Sequence, residues 1–242
     1  MRFTAVILLS CLNLFAAEDW GKKVSFTGTD GVVLSAVFAK PEAGKRTWIL
    51  LHGLGSDKGE WRPFAKELKK RGMGYLALDL RGHSESVKAA DGRTWDYQYF
   101  KTGGPGSQWF KMIDDVGLAV TFLGARGVAV ADIVFCGASI GANIVINHLA
   151  RSKASINPAV LFSPGLQYTG GLAAEQAMRV YQGPVAMVVG KGDAYSHQSV
   201  MALAKIKPAA KVFVKESGAH GAGLVDGKWE AAIIDWAATA KK

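Results

Sequence analysis

Short, wholly apolar runs alternate along the chain with longer segments in which apolar residues recur every three or four positions. Runs that are apolar on both faces are typical of strands in a parallel sheet covered by helices. The pattern predicts such strands at 47–51, 74–78, 133–136, 159–162, 185–189 and 211–214. Before them, the apolar segments 23–26 and 32–38 flank Thr29-Asp30-Gly31, which predicts a hairpin.

The segments between these strands have helical spacing. Helices are predicted at 60–71, 108–126, 142–150, 172–181, 197–206 and 228–239. Strands alternating with helices indicate an α/β fold with a doubly wound, mostly parallel sheet. No linker rich in Pro or Ser divides the pattern, so residues 18–242 are predicted to form a single domain. The segment 87–107 is polar, aromatic and rich in Gly, and we expect a long loop there, of the kind that is often functional.

The amino terminus has the layout of a secretory signal peptide. Arg2 precedes an apolar stretch, and the small residues Ala16 and Ala17 come before an acidic pair. The apolar stretch is too short to span a bilayer as a helix, which takes about 20 apolar residues. Residues 1–17 are therefore predicted to be a cleaved signal, with the mature protein periplasmic or secreted. The alternative is a lipoprotein, because Cys11 follows a sequence similar to a lipoprotein cleavage box.

Composition narrows the class of protein. About half of the 242 residues are apolar (49%), which excludes a disordered chain. Cys11 and Cys136 are the only cysteines, which excludes a disulfide scaffold, and Cys136 lies in an apolar strand, where burial is expected. The five histidines have no metal-ligand spacing, so neither a metal nor another cofactor is expected.

The net charge of +9 does not indicate a nucleic-acid partner. The basic residues are scattered, and most Trp and Phe residues lie in apolar runs instead of alternating with the basic ones. We therefore expect a small-molecule substrate, no nucleic acid and no integral membrane span. The charge is compatible with peripheral attraction to an anionic envelope surface.

The candidate chemistry centres on a Gly-x-Ser-x-Gly motif at 137–141. An apolar strand at 133–136 comes directly before it and a helix at 142–150 directly after it. In that context Ser139 lies on a tight strand-to-helix turn, where side chains at the two Gly positions would collide with the backbone. The alternative, in which Ser139 has no catalytic role, is that it only caps the helix.

A serine hydroxyl needs a base within hydrogen-bond reach and an acid to orient that base. Asp193 follows the strand at 185–189, and His220 follows the strand at 211–214. Because the loops after parallel strands open at one edge of a sheet, Ser139, Asp193 and His220 are predicted to converge. The alternatives are that Asp193 is an ordinary turn aspartate, that His220 is a loop histidine without a catalytic role, or that His197 is the base.

The order Ser, Asp, His resembles the α/β-hydrolase superfamily, from the hairpin to the last helix. Two further motifs match: His-Gly-Leu-Gly at 52–55 and Asp-x-Arg-Gly-x-Ser at 79–84. The chain is most similar to small esterases, dienelactone-hydrolase-like proteins and serine-aminopeptidase-like hydrolases. Many members insert a helical lid after the sixth strand, but 165–183 is too short for a large cap domain, so the loop 87–107 is expected to wall the site instead.

The resemblance also assigns supporting residues. It implies an oxyanion hole formed by the backbone N–H groups of Leu54 and Ile140. His52 and His83 are expected to brace the oxyanion loop by hydrogen bonds, and His148 to be structural.

Together these features predict an exported serine hydrolase that cleaves carboxylic esters or thioesters of small to medium acyl groups through an acyl-enzyme. Two alternatives stay open. The same triad could hydrolyse amides, as a peptidase or amidase, or the chain could be a non-catalytic binding member of the fold.

Overall fold

The computed structural model describes residues 20–152 and 156–240. Within these residues the chain forms ten strands. They are β1 Lys22–Thr27, β2 Val33–Ala39, β3 Thr47–Leu51, β4 Gly74–Leu78, β5 Ile133–Ala138, β6 Ala159–Phe162, β7 Gln167–Tyr168, β8 Leu172–Ala173, β9 Val185–Gly190 and β10 Lys211–Lys215. The predicted signal peptide 1–17 and Cys11 lie outside the described residues. Among those that are described, no helix has the length and apolar character needed to cross a membrane.

Eight of the described strands form one sheet, in the order β1-β2-β4-β3-β5-β6-β9-β10. The six strands from β4 to β10 in this order run parallel, and the hairpin of β1 and β2 adds antiparallel strands at one edge. The predicted α/β fold with a mostly parallel sheet is confirmed, and no large cap domain is present within the described residues. The carboxyl ends of the parallel strands therefore meet at one edge.

Helices cover both faces of the sheet. Their bounds are α1 Arg62–Lys70, α2 Gln108–Gly124, α3 Ile140–Arg151, α4 Glu175–Val180, α5 Ala194–Ile206 and α6 Glu230–Thr239. Two apolar cores result, one on each face, because side chains of the wholly buried strands alternate between the faces. Ser107 begins α2 by accepting the Phe110 N–H with its side chain, the usual role of an N-cap serine.

The structure corrects two predicted elements. The segment predicted as a helix at 172–181 begins instead as the short strand β8, which pairs with β7, and the helix starts only at Glu175. The side chains of Asn143 and Asn147 bind the carbonyls of Leu172 and Ala173, which are then not available for a first helical turn. The helix predicted at 142–150 begins two residues earlier, directly after Ser139.

Candidate active site

Ser139 lies on a sharp turn between β5 and α3. Its φ of 54° and ψ of −119° place it in a region that non-glycine residues rarely adopt. The flanking glycines explain how the turn closes: a Cβ on Gly137 would lie 2.3 Å from the Gly141 carbonyl group, and a Cβ on Gly141 would lie 2.5 Å from the Leu51 carbonyl oxygen. The turn presents a nearly buried serine, 8% exposed, at the carboxyl edge of the sheet.

Asp193 and His220 lie in the loops that follow β9 and β10. The Oδ2 atom of Asp193 is 2.6 Å from Nδ1 of His220. Burial acts to raise the pKa of Asp193, but hydrogen bonds from His220, Ser196 and Ser163 outweigh it and hold that pKa below its usual value. An ionised carboxylate on Nδ1 fixes the ring and leaves Nε2 to exchange protons with a reacting group.

The His220 loop lies against the nucleophile turn. A Cβ on Gly221 would lie 3.4 Å from the Cβ of Ala138, so the backbone next to His220 passes close to the residue before Ser139. The oxyanion loop adjoins the same point, since a Cβ on Gly53 would lie 3.6 Å from the Ser139 Cβ. The structure thus gathers the three predicted triad residues at one edge of the sheet.

Ser163, which sequence reasoning missed, joins the two loops of the triad. It follows β6, is fully buried and has a φ of 47°. Its hydroxyl accepts the Gly221 N–H at 3.0 Å and is near enough to the Asp193 carboxylate to help lower its pKa. Its only sequence signal is a position after a buried strand, next to Pro164.

The oxyanion loop is braced from two sides. His52 donates from Nδ1 to the Gly53 carbonyl (2.7 Å) and accepts the Leu80 N–H at Nε2 (2.9 Å). Glu60, also missed from the sequence, accepts the Gly53 N–H at 2.9 Å. Burial lowers the pKa of His52 to about 3, so the ring is neutral and can both donate and accept.

The two predicted oxyanion donors are free to act. Among the described residues, no acceptor takes the N–H of Leu54 or that of Ile140. Ile140 is the first residue of α3, where the positive end of the helix dipole adds to the attraction for an anion.

The other histidines have different environments. His83 hydrogen-bonds the Arg81 carbonyl within its own turn. Its ring meets that of His52, but within 20–152 and 156–240 it makes no hydrogen bond to the oxyanion loop, so the predicted bracing by hydrogen bonds is seen for His52 and not for His83. His148 bonds the Ile113 carbonyl and packs on Phe135, a structural role. His197 lies in α5, and it is the ring of His220 that bonds Asp193.

Part of the loop 87–107 reaches the oxyanion loop. Tyr97 stacks on His83 with 4.0 Å between ring centroids, and a Cβ on Gly55 would lie 3.0 Å from the Tyr97 hydroxyl. Phe100 packs against Gly82 of the neighbouring turn. The loop therefore forms one wall beside the site.

Fold and site together define an α/β-hydrolase. Residues 42–208 match the sequence profile of the family described as serine aminopeptidase, S33, and the chain belongs to that family of hydrolases. The matched residues include Ser139 and Asp193 and end before His220. No curated protein sequence matches the chain significantly.

Solved structures of several hydrolases share the fold. An esterase of Pyrococcus furiosus is 20% identical, with 90% of each chain covered and a TM-score of 0.69. A carboxylesterase of Nitrososphaera gargenis is 14% identical (90% of this chain, 98% of that one, TM-score 0.68). A dienelactone hydrolase of Anabaena variabilis is 13% identical (90% and 96%, TM-score 0.64). At these sequence identities, the similarity shows a shared fold and no more.

Proposed function

We propose that the chain is an exported serine hydrolase that cleaves carboxylic esters or thioesters of small to medium acyl groups. Ser139 is the nucleophile, His220 the base and Asp193 the residue that orients the base. The observation that carries this proposal is the 2.6 Å contact between Asp193 and His220, in loops that lie against a strained Ser139.

The reaction has two halves. His220 Nε2 takes the Ser139 proton as Oγ bonds the substrate carbonyl carbon, and the carbonyl oxygen becomes an anion held by the N–H groups of Leu54 and Ile140. The imidazolium then protonates the leaving alcohol or thiol, and the C–O or C–S bond breaks. Water attacks the acyl-enzyme by the same route and releases the acid.

Two measurements test this function directly. A fluorophosphonate probe should label the wild-type protein at Ser139, and a p-nitrophenyl ester of a short acid should be hydrolysed. Ser139→Ala should lose both signals. Labelling at another serine, or undiminished turnover by pure Ser139→Ala, would refute the assignment, and a wild-type protein without turnover would favour a non-catalytic binding protein.

The family description gives amide hydrolysis as a second candidate. The same triad cleaves amides when the site protonates the poorer leaving group. Comparing kcat/KM for a p-nitrophenyl ester with that for an aminoacyl p-nitroanilide separates the two. An anilide hydrolysed as fast as the ester would make the protein a peptidase or amidase.

Export rests on the amino-terminal pattern and needs its own test. The protein should be recovered outside the cytoplasm with a mass that corresponds to a start near Glu18. An acylated Cys11 at the mature amino terminus would instead establish a lipoprotein, and an intact Met1 in a cytoplasmic fraction would overturn export.

A further inference from the structure

The short hairpin of β7 and β8 brings a phenol to the nucleophile. Tyr168 is half-buried, and its hydroxyl donates to the Ser163 carbonyl at 2.8 Å. The same oxygen lies 3.4 Å from Ser196 Oγ, which itself lies 3.4 Å from Nδ1 of His220. The Ser139 side chain is near enough to act on the phenol, whose pKa it lowers against the effect of burial. Tyr168 thus lies beside the triad, although it belongs to neither the Gly-x-Ser-x-Gly motif nor a loop that directly follows a central strand.

The position of this phenol is fixed by several independent contacts. Its ring packs against Gly165, where a Cβ would lie 2.8 Å from Cε2 and Cζ of Tyr168. It also meets the ring of Tyr195 edge-on, with centroids 5.8 Å apart. The Tyr195 hydroxyl in turn donates to the Gln167 carbonyl at 2.6 Å and holds β7 in place.

The hairpin is also tied to the helix that begins at the nucleophile. Asn143 of α3 donates to the carbonyls of Gly165 (2.9 Å) and Leu172 (2.7 Å) and accepts the Gly165 N–H. Since Asn143 lies one turn after Ser139, these bonds tie the backbone on both sides of Tyr168 to the helix that begins beside the nucleophile.

The hydrogen bonds of the Tyr168 hydroxyl determine which further donors its oxygen can accept. Its own proton is committed to the Ser163 carbonyl. Burial raises the pKa of Tyr168, so the phenol stays protonated at neutral pH. A phenol oxygen that donates to a fixed carbonyl keeps its lone pairs for other donors, and Ser196 at 3.4 Å is at most a weak competitor.

We propose that Tyr168 is a further catalytic residue, whose hydroxyl oxygen accepts a hydrogen bond from the water that hydrolyses the acyl-enzyme. This role presupposes the acyl-enzyme of the proposed function. The attacking water carries two protons, and only one of them goes to His220. The second needs an acceptor near Ser139. The oxygen of Tyr168 is a candidate because it bonds the Ser163 carbonyl, one residue after the Phe162 carbonyl that accepts the Ser139 N–H.

The water oxygen forms a bond to the acyl carbon while one water proton moves to His220 Nε2. The bond between the acyl carbon and Ser139 Oγ then breaks, and His220 returns that proton to Oγ. The second water proton stays on the product carboxylic acid, hydrogen-bonded to Tyr168 until release.

Tyr168→Phe tests this role because it keeps the ring and removes the hydroxyl, which is both the proposed acceptor and the donor to the Ser163 carbonyl. Acylation, followed as p-nitrophenol release with enzyme in excess, should stay within about threefold of wild type. Decay of the acyl-enzyme, followed by intact mass spectrometry, should slow about tenfold or more, as misplaced reactants do. Equal slowing of both steps would show a merely structural role and overturn the proposal.

Competition between methanol and water for the acyl-enzyme tests the role of Tyr168 more specifically. It has one O–H proton, which His220 takes, so its attack does not need the second acceptor. In a water and methanol mixture, Tyr168→Phe should therefore shift product partition about tenfold towards the methyl ester. An unchanged partition ratio would overturn the role of Tyr168 even where both rates fall.

Tyr181→Phe is the matched control. It also removes one buried phenol hydroxyl, bonded to the Asn157 carbonyl, but it precedes β9 at the opposite edge of the sheet. Its two rates and its partition ratio should match wild type. If wild-type protein forms no acyl-enzyme, the proposed function fails; if it does and Tyr168→Phe matches Tyr181→Phe, only the role of Tyr168 fails.

Discussion

The hydroxyl of Ser163 accepts the backbone N–H of Gly221 at 3.0 Å. This bond ties the carboxyl end of β6 to the loop that carries His220, across 58 residues of sequence. Because the same hydroxyl also helps to lower the pKa of Asp193, one buried side chain acts on both the acid and the loop of the base.

Ser163→Ala should therefore weaken both the fold and the site. The buried N–H of Gly221 would lose its partner, at a cost of about 1–3 kcal/mol in the free energy of unfolding. The loop that carries His220 would lose its tie to β6, and Asp193 would lose one of the groups that favour its charged form, so we expect kcat to fall about tenfold or more. Urea unfolding and steady-state kinetics on the same samples measure both effects. A fall in stability with unchanged kcat would limit Ser163 to a structural role.

Ser139→Ala should abolish turnover without unfolding the protein. Loss of the nucleophile costs on the order of a million-fold in kcat where a triad acts as a unit. Ser139→Gly should be equally inactive but more stable than Ser139→Ala, because glycine adopts the positive φ of this position without strain, worth about 1–3 kcal/mol before its greater unfolded-state entropy is subtracted. Thermal melts of the two variants compare them directly, and a more stable Ala variant would contradict the strain.

Asp193→Asn should lower kcat by about ten-thousand-fold, because the amide favours the wrong imidazole tautomer on His220. His197→Ala is the matched comparison, since it removes an imidazole from α5 that is not bonded to Asp193, and its rates should stay within a few-fold of wild type. Full activity in Asp193→Asn would place the orienting acid elsewhere. A collapse in His197→Ala would make His197 the base.

The sheet and the location of the site were predictable because they depend on local pattern. Runs that are apolar on both faces mark the central strands, and each candidate triad residue directly follows one of them. Parallel pairing then brings Ser139, Asp193 and His220 to one edge without further information. Their catalytic roles stay predictions until the variants above are measured.

Ser163, Glu60 and Tyr168 were not predictable, since their roles depend on tertiary contacts with no fixed spacing. The hydroxyl of Ser163 bonds a group 58 residues away, and that of Tyr168 lies near Ser196, 28 residues away. The segment 172–181 has helical spacing, yet its first two residues pair as a strand. The side-chain amides of Asn143 and Asn147 donate to the carbonyls of these two residues, Leu172 and Ala173. The periodicity of a segment does not reveal hydrogen bonds that its backbone makes with side chains of another helix.

His52 should make the protein sensitive to acid. Burial lowers its pKa to about 3, against 6.5 in the unfolded chain. Above pH 6.5 neither state binds the proton; below it only the unfolded state does, so the contribution of His52 to stability is lost as pH falls from 6.5 towards 3, by about 1.4 kcal/mol per pH unit. In His52→Gln the slope of unfolding free energy against pH should be shallower over this window. An identical slope would show that His52 is not buried neutral.

The final prediction concerns acyl chain length. The segment 165–183 contributes only the β7 and β8 hairpin and the short α4, which leaves the site open: the side chain of His220 is 46% exposed and Leu54 is 46% exposed. A longer acyl chain gains about 0.8 kcal/mol per methylene only where a wall buries it. On the side of the oxyanion loop that wall is Tyr97, fixed by its stack on His83.

Activity on p-nitrophenyl esters should therefore peak between acetyl and hexanoyl, fall for palmitoyl and show no jump at micelle formation. Tyr97→Ala removes the wall but leaves the triad in place, so it should lower kcat/KM for hexanoyl more than for acetyl esters, since only the longer chain reaches the ring. Equal losses for the two esters would mean that Tyr97 acts through the oxyanion loop, which its hydroxyl approaches at Gly55. A maximum at dodecanoyl or longer in the wild-type protein would refute the open site and make the loop 87–107 a lid that closes over the acyl chain.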